Sequence, residues 1–409
     1  MFELMEKRVD IPNPFSIDIG DEINLDRISS DGVILYPGTR IYGAKTLISK
    51  GAKLGYEAPV TIVDCQVGPQ AELKGGFFKA SVFLEKVNVA CGAQVREGCI
   101  LEEEANANHT VGLKQTILFP FVTLGSLINF CDCFMAGGTS RKNHSEVGSS
   151  YIHFNYTPHQ DKATPSLIGD VPRGVMLNQP PIFLGGQGGL VGPVRIDYGT
   201  VIAAGTIYRR DCLEGNELLT EKEVTVRDDP FYVGYYVSVR RRIYNNICYL
   251  ANLLALRQWY FHVRQPFFQT QNLGSELYAG AMDKLEIAIE ERLKRFKALS
   301  EKMELSIDLG VNVFKREAKE SLFKQKKEFS ENWPKLEATF TDGREKTVDL
   351  KNRDEFIRIV HDGIKDNNGY IKVIQGLDRN ASAMGTAWLQ NIVDHIMGAA
   401  LDHLPSFRS

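Results

Sequence analysis

The chain has 409 residues, a formal net charge of −3 at neutral pH and 24% charged residues. This balance excludes the basic excess of a nucleic-acid-binding protein, and no apolar run reaches the about 18 residues that a membrane span needs. Seven cysteines argue against a disulfide framework and for a reducing compartment, and the acidic N-terminus lacks the apolar core of a secretory signal. We therefore expect a soluble, cytoplasmic protein without nucleic-acid or membrane partners.

Residues 1–30 form a polar lead-in in which Pro12 and Pro14 disfavour a helix. Residues 31–211 are rich in Val, Ile and Gly, and apolar residues recur there at a spacing of six, which suits neither an amphipathic helix nor a simple strand. The spacing is typical of a hexapeptide-repeat parallel β-helix, whose stacked turns bury a continuous core. A Gly-rich sandwich with irregular strands is the alternative. The pairs of apolar residues that lie six positions apart are Ile41/Leu47, Leu54/Val60, Val67/Leu73, Val89/Val95 and Val111/Ile117.

Polar segments interrupt this spacing. Residues 102–110 (EEEANANHT) are interpreted as a solvated turn. Inserts at 137–145 and 170–189 are long loops of the kind that carry binding groups, and we expect the GGQGG run of the second to be a lid or interface loop. Cys131 and Cys133 raise a zinc hypothesis, but a single C-x-C fits known spacings poorly, so two core thiols are favoured and no metal is predicted.

From residue 212 to 409 the apolar spacing changes to three and four, which predicts a mainly α-helical domain. The basic run Arg240–Arg242 suggests either a nucleic-acid surface or a solvated helix face, and the helical spacing favours the latter. Between the helical patterns, TFTDGREKTVDL predicts a small hairpin that turns at Asp342 and Gly343.

The β-helix segment resembles a known family. Val191–Ile196, Ala203–Thr206, Asn155–Tyr156 and Ile168–Asp170 are similar to the acetyltransferase half of the bifunctional N-acetylglucosamine-1-phosphate uridyltransferase/glucosamine-1-phosphate acetyltransferase, a hexapeptide-repeat family related to UDP-N-acetylglucosamine pyrophosphorylase. The resemblance covers about residues 33–211. It implies a left-handed parallel β-helix that forms a homotrimer with active sites between subunits.

The resemblance also implies binding residues. Arg96 and Lys114, eighteen positions apart, match an arginine and a lysine that hold the sugar phosphate in the family. Two converging cations suit a phosphate group, because the arginine can bind two oxygens at once; two exposed charges without a ligand are the alternative. Asn155 and Tyr156 match the family's sugar-contacting Asn-Tyr pair, for which a simple turn is the alternative, and Lys162 lies one residue from a family lysine.

The sequence departs from the family at the catalytic base. Ser126 stands where the family has its histidine, and Asn129 where it has a tyrosine. A serine hydroxyl without assistance cannot supply a base that titrates near neutral pH. The stretch between Ser126 and Asn155 is six residues longer than in the family, so His144 and His153 are candidate replacement bases, with a hydrogen-bonded surface histidine as the alternative.

Two functions are therefore predicted. One is an acyltransferase that uses acetyl-CoA or another acyl-CoA and acts on an amino-sugar phosphate or nucleotide sugar, with Ser126 and Asn129 among the substrate contacts. The other is a non-catalytic UDP-sugar sensor or trimeric scaffold. No part of the chain matches the family's uridyltransferase half, so that activity is not supported.

Overall fold

The computed structural model describes residues 2–220, 231–312, 320–345, 348–365 and 369–408. Its first part is a solenoid of short parallel strands stacked into three flat faces. This arrangement confirms the predicted parallel β-helix and is consistent with its left-handed form.

Face I and face III have ten strands each, and face II has eight. Face I contains β1 (Asp18–Ile19), β3 (Arg40–Tyr42), β6 (Val60–Val63), β9 (Gly76–Lys79), β12 (Ala93–Val95), β15 (Val111–Lys114), β18 (Ile128–Cys131), β23 (Ile152–Phe154), β26 (Gly189–Val191) and β29 (Ile207–Tyr208). Face II contains β4 (Leu47–Ile48), β7 (Gln66–Val67), β10 (Ser81–Phe83), β13 (Cys99–Leu101), β16 (Ile117–Leu118), β19 (Cys133–Met135), β24 (Ser166–Ile168) and β27 (Arg195–Ile196). Face III contains β2 (Ile34–Leu35), β5 (Lys53–Leu54), β8 (Glu72–Leu73), β11 (Asn88–Val89), β14 (Asn106–Ala107), β17 (Thr123–Leu124), β22 (Glu146–Val147), β25 (Phe183–Leu184), β28 (Val201–Ile202) and β30 (Leu218–Leu219).

The six-residue spacing has a direct structural cause. Most strands bury at least one inward-facing residue, and in successive turns such residues lie in register, as Ile62, Phe78 and Val95 do on face I. Each turn alone cannot cover its apolar side chains, so stacking supplies the core. The solenoid begins within the lead-in, because β1 pairs with β3, and its last described strand is β30.

Two inserts leave the stack between faces II and III. The first forms an antiparallel hairpin of β20 (Gly138–Ser140) and β21 (Asn143–His144), and the second contains the short helix α2 (Val171–Gly174). The GGQGG run is not a lid, so that alternative was wrong, whereas the interface alternative stays a prediction. It forms the corner between β25 and β26, where a Cβ on Gly185 would lie 2.3 Å from the backbone nitrogen of Ala204 in the next turn.

The remaining described elements are helical, as predicted for the C-terminal region. Helix α1 (Phe2–Glu6) precedes the solenoid. The C-terminal region contains α3 (Arg240–Trp259), a π-helical turn (Tyr260–Arg264), α4 (Gln265–Gln269), α5 (Gly274–Glu301), α6 (Met303–Asn312), α7 (Glu320–Glu331), α8 (Trp333–Asp342), α9 (Leu350–Lys365), α10 (Tyr370–Gln375) and α11 (Arg379–Asp402). Within the described ranges, no helix has the length and apolar character of a membrane span.

The predicted hairpin at Asp342 and Gly343 is also wrong in its first half. Helix α8 continues to Asp342, because Trp333, Leu336 and Phe340 recur at helical spacing and are buried. Residues 346 and 347 of the predicted hairpin lie outside the described residues.

The helices cover face II. Helix α5 packs on β7, β10 and β13, and α3 packs on β24. This packing corrects the first part of the interpretation of residues 102–110 as a solvated turn, because Glu102 and Glu103 are buried under the helices, whereas residues 108–110 are exposed. Tyr260 donates a hydrogen bond to Glu102 at 2.5 Å, and Arg264 forms an ion pair with Glu103.

Candidate functional site

Face I brings the two predicted phosphate-binding cations together. Gln94 pairs with Gly112 and Val95 with Leu113, so Arg96, the next residue, stands beside Lys114 in the neighbouring turn. Adjacent parallel strands lie about 4.8 Å apart, and both residues follow an inward-facing one, Val95 or Leu113. Lys79 stands one turn before Arg96, since Phe78 pairs with Val95. The outer edge of face I thus carries basic residues in three successive turns.

The two cations differ in their present partners. Lys114 Nζ lies 2.6 Å from Glu97 Oε1. Burial raises the pKa of Glu97, but the hydrogen bond and charge of Lys114 outweigh it and hold this pKa below its ordinary value. Arg96 is exposed and lies near the thiol of Cys131. A phosphate on this edge would therefore compete with Glu97 for the lysine and meet a solvent-accessible guanidinium.

A second outward row runs beside the cations. Gln94, Gly112 and Asn129 are in register there, and Asn129 is exposed. A Cβ built on Gly112 would meet only the carbonyl oxygen of Ile128, at 3.6 Å. The glycine therefore leaves a shallow depression between two amides, bordered on one side by Lys114.

Ser126 lies at the opposite edge of the same face. It is half-buried in the corner between β17 and β18, and its backbone N–H donates to Ser149 Oγ at 3.1 Å. Leu127 N donates to the carbonyl of His109 at 3.0 Å, which places His109 in the preceding turn of the same corner. Cys91 occupies this corner one turn earlier still, because the carbonyl of Cys91 accepts from Thr110 N at 3.0 Å.

The loop after β23 carries the predicted sugar contacts. Asn155 Nδ2 donates to Asp132 Oδ2 at 2.5 Å, which holds the asparagine beside the end of β18. Tyr156 follows with 57% of its surface exposed. Lys162 is half-buried, and its carbonyl accepts from Arg292 Nη1 on α5 at 3.2 Å. Asn155 and Tyr156 therefore flank face I, whereas the backbone of Lys162 contacts the helical region.

The two predicted replacement bases do not meet Ser126. His144 lies in the hairpin between faces II and III, where its Nδ1 is 3.0 Å from the carbonyl of Arg141, whereas Ser126 lies between faces III and I. A histidine that acts as the base must present a ring nitrogen to the substrate. His144 lies at a different corner of the solenoid from Ser126, so it does not occupy the position that the family histidine would have. Its predicted catalytic role stays a prediction without support from this placement.

His153 stands on the inward row of face I, between Phe130 and Leu190. Its Nδ1 is 2.6 Å from the carbonyl of Cys131, its Nε2 is 2.7 Å from Ser166 Oγ, and only 1% of its surface is exposed. Burial lowers the pKa of His153 to about 4. Both ring nitrogens are thus occupied inside the core, and the geometry argues against a role as general base.

Cys131 and Cys133 are both buried, as expected for two core thiols. The two thiols belong to different strands. Cys131 ends β18 on face I, Cys133 begins β19 on face II, and Asp132 turns the corner between them with a φ of 59°. All seven cysteines are free thiols.

Sequence reasoning missed a cluster at the edge of face I. Glu57, Cys91 and His109 each offer a ligand atom, and these atoms all lie within 4.8 Å of one another; among the described residues this is the group of three that could hold a metal ion. Cys91 and His109 are eighteen residues apart, which is one solenoid turn at this point, so their proximity could have been predicted from the sequence. Glu57 is separated in sequence from both, and only the stacking brings it near.

Comparison with known proteins finds relatives that carry the name bifunctional protein GlmU. The protein of that name from Thermotoga maritima is 29% identical over 212 residues, which are 51% of this chain and 41% of the relative. Those from Fervidobacterium nodosum and Clavibacter sepedonicus are 28% and 27% identical, over 51% and 45% of this chain and 41% and 33% of the relatives. The chain thus spans about two fifths or less of these relatives' length. No family model matches it. The resemblance predicted from the sequence is confirmed as a resemblance to part of these proteins.

Proposed function

We propose that face I binds a phosphorylated or nucleotide-activated amino sugar, with UDP-N-acetylglucosamine as the implied ligand. The observation that carries the proposal is the position of Arg96, which is exposed, beside Lys114 on an outward row of face I. The chain's similarity to proteins named GlmU supports the same ligand class.

The chemistry of the face suits such a ligand. Arg96 and Lys114 can share a phosphate, since charge-assisted hydrogen bonds from an arginine fork and an ammonium reach different oxygens. Beside them, the Asn129 amide and the exposed Tyr156 ring offer sugar hydroxyl groups a donor, an acceptor and a stacking surface. The depression at Gly112 provides room for a ring between these groups.

The resemblance extends the proposal to assembly and to a second substrate. A homotrimer would place face I of one subunit against the next, and acetyl-CoA or another acyl-CoA would enter beside it. In the non-catalytic form of the proposal the protein is a UDP-sugar sensor or scaffold, and it binds the sugar without consuming a thioester.

Acyl transfer is a second candidate, and one observation favours it. His109 lies one turn from Ser126 on the same corner, and its side chain is 59% exposed. In this reaction the sugar amine forms a C–N bond to the thioester carbonyl, the C–S bond breaks, and the proton lost by the amine passes through a base to the coenzyme A thiolate. Imidazole is suited to that transfer near neutral pH.

Calorimetric titration with UDP-N-acetylglucosamine tests the binding proposal. We expect Lys114→Ala to weaken binding at least tenfold, because a hydrogen bond to a charged group contributes about 1.5 to 3 kcal/mol. Lys53→Ala is the matched control, since Lys53 is an outward lysine of face III paired with Glu72 at 2.9 Å. Absence of binding to the wild-type protein, or equal loss in both variants, would overturn the proposal.

Release of coenzyme A from acetyl-CoA in the presence of glucosamine 1-phosphate tests the second candidate. Turnover that is lost in His109→Gln while sugar binding persists supports acyl transfer. Sugar binding by the wild-type protein without any release supports the sensor instead.

A further inference from the structure

The corner between faces III and I brings together three side chains of different types, each of a kind that can act as a metal ligand. Glu57 follows β5, Cys91 follows β11 and His109 follows β14, so each comes from a different turn of the stack. The carboxylate, sulfur and imidazole atoms lie within 4.8 Å of one another, and His109 Nε2 is 3.8 Å from Glu57 Oε2. None of the three is fully buried, so an ion can reach them from solvent.

The backbone around the cluster is held by bonds between turns. Cys91 N donates to Glu57 Oε2 at 2.9 Å, which turns this carboxylate toward the cysteine. The carbonyls of Cys91 and His109 accept hydrogen bonds from Thr110 and Leu127 at 3.0 Å. The three side chains therefore project from fixed positions, and only rotation of their own bonds is needed to bring them closer.

We propose that Glu57, Cys91 and His109 bind one zinc-class divalent cation at the edge of face I. Zn²⁺ takes cysteine sulfur at about 2.3 Å and histidine nitrogen or carboxylate oxygen at about 2.0 to 2.2 Å. In a tetrahedral site these bond lengths place ligand atoms about 3.3 to 3.7 Å apart, and the His109–Glu57 separation of 3.8 Å lies just beyond that range. Small side-chain rotations would bring the sulfur within the same range.

The charges around the cluster suit one bound cation that keeps one coordination position open. Glu57 and a deprotonated Cys91 supply two negative charges, and Lys74 lies 3.6 Å from the other carboxylate oxygen, Oε1. The Lys74 ammonium pairs with Oε1, so Oε2 of Glu57 remains directed toward Cys91 and His109. Three protein ligands leave a fourth position for water or another molecule, the arrangement of zinc sites that do chemistry.

This site is independent of the sugar-binding proposal, but it bears on the second candidate. A cation bound through His109 Nε2 would occupy a ring nitrogen that proton transfer could use. The zinc-loaded protein would then not use this nitrogen as a base.

Titration of the chelator-treated 409-residue protein with Co²⁺ tests the proposal. We expect one equivalent to produce a near-ultraviolet thiolate-to-cobalt charge-transfer band and the visible bands of a four-coordinate ion, and we expect Zn²⁺ to displace both. The other six cysteines are buried and therefore do not compete. Cys91→Ser should abolish the charge-transfer band, and His109→Gln should weaken Co²⁺ binding at least tenfold.

His144→Gln is the matched control, because His144 Nε2 lies 3.7 Å from Glu146 without a cysteine in the group. This variant should bind Co²⁺ like the wild type. Thermal unfolding of each variant checks that it folds, and Zn²⁺ should raise the Tm of the wild type but not of Cys91→Ser. The proposal is overturned if the wild type shows no charge-transfer band, or if Cys91→Ser binds the ion as the wild type does.

Discussion

Arg292 of helix α5 donates from Nη2 to Oδ1 of Asp132 at 2.5 Å, and both side chains are almost fully buried. Asp132 turns the corner after β18, and its other oxygen accepts from Asn155. Through this carboxylate, a helix of the C-terminal region fixes the loop that carries Asn155 and Tyr156. The helical region is thus part of the support of face I.

Replacement of Arg292 by alanine should reduce the free energy of unfolding by about 3 to 5 kcal/mol, because the Asp132 carboxylate stays buried without its partner. Chemical denaturation measures this loss. The double variant with Asp132→Ala should lose less than the sum of the two single variants. Additive losses would show that the pair does not act as a unit.

The buried His153 gives a pH-dependent prediction. Its pKa in the folded protein is about 4 because of burial, whereas an unfolded histidine titrates near about 6.5. Below the unfolded value the unfolded chain binds a proton that the folded chain does not, so stability should fall by about 2 kcal/mol between pH 7 and pH 5.

Chemical denaturation at several pH values measures this slope, and His153→Gln should flatten it. The flattening is partial, because burial also lowers the pKa of His262 to about 4. In NMR spectra, the His153 ring should not titrate between pH 5.5 and 8. A titration near pH 6.5 would contradict its placement in the core.

Glu97 should act as an internal competitor for the phosphate. Its carboxylate holds Lys114 at 2.6 Å, so Glu97→Gln removes a negative charge and frees the ammonium. We expect UDP-N-acetylglucosamine to bind several-fold more tightly to this variant in calorimetry. Weaker binding would mean that Glu97 positions the lysine rather than competes for it.

The depression at Gly112 can be closed without disturbing the core. A Cβ there meets only one backbone atom, at 3.6 Å, so Gly112→Leu should fold with an unchanged Tm while sugar binding falls at least tenfold. Thr61→Leu is the control, since Thr61 lies on the same outward row three turns away, about 14 Å. Unchanged affinity in Gly112→Leu would move the sugar site off this part of face I.

The six-residue spacing was enough to predict the solenoid, because each buried position depends on its own turn and the next. Residues whose environment is set by the helical region were not predictable in this way. Glu102 and Glu103 resemble a solvated turn until Tyr260 and Arg264 cover them. The long sequence separation of these partners leaves no local signal.

The candidate site likewise contains residues whose positions could be predicted from the sequence and residues whose positions could not. Arg96 and Lys114 were predicted from the resemblance to a known family, and their eighteen-residue separation, which is one turn of the stack, places both on one row. His153 could not be placed, because the insert before β23 obscures whether the residue points inward or outward. Glu57 was missed because its approach to Cys91 and His109 depends on side chains that cross between turns.

The most direct test of the sugar-binding proposal is the coupling between Arg96 and Lys114 in calorimetric titration with UDP-N-acetylglucosamine. If both cations hold one phosphate, each single alanine variant should lose about tenfold or more in affinity, and the double variant should lose measurably less than the product of the two losses. Independent, multiplicative losses would show that the two residues do not share a ligand group. Unchanged affinity in both single variants would contradict the proposed site on face I.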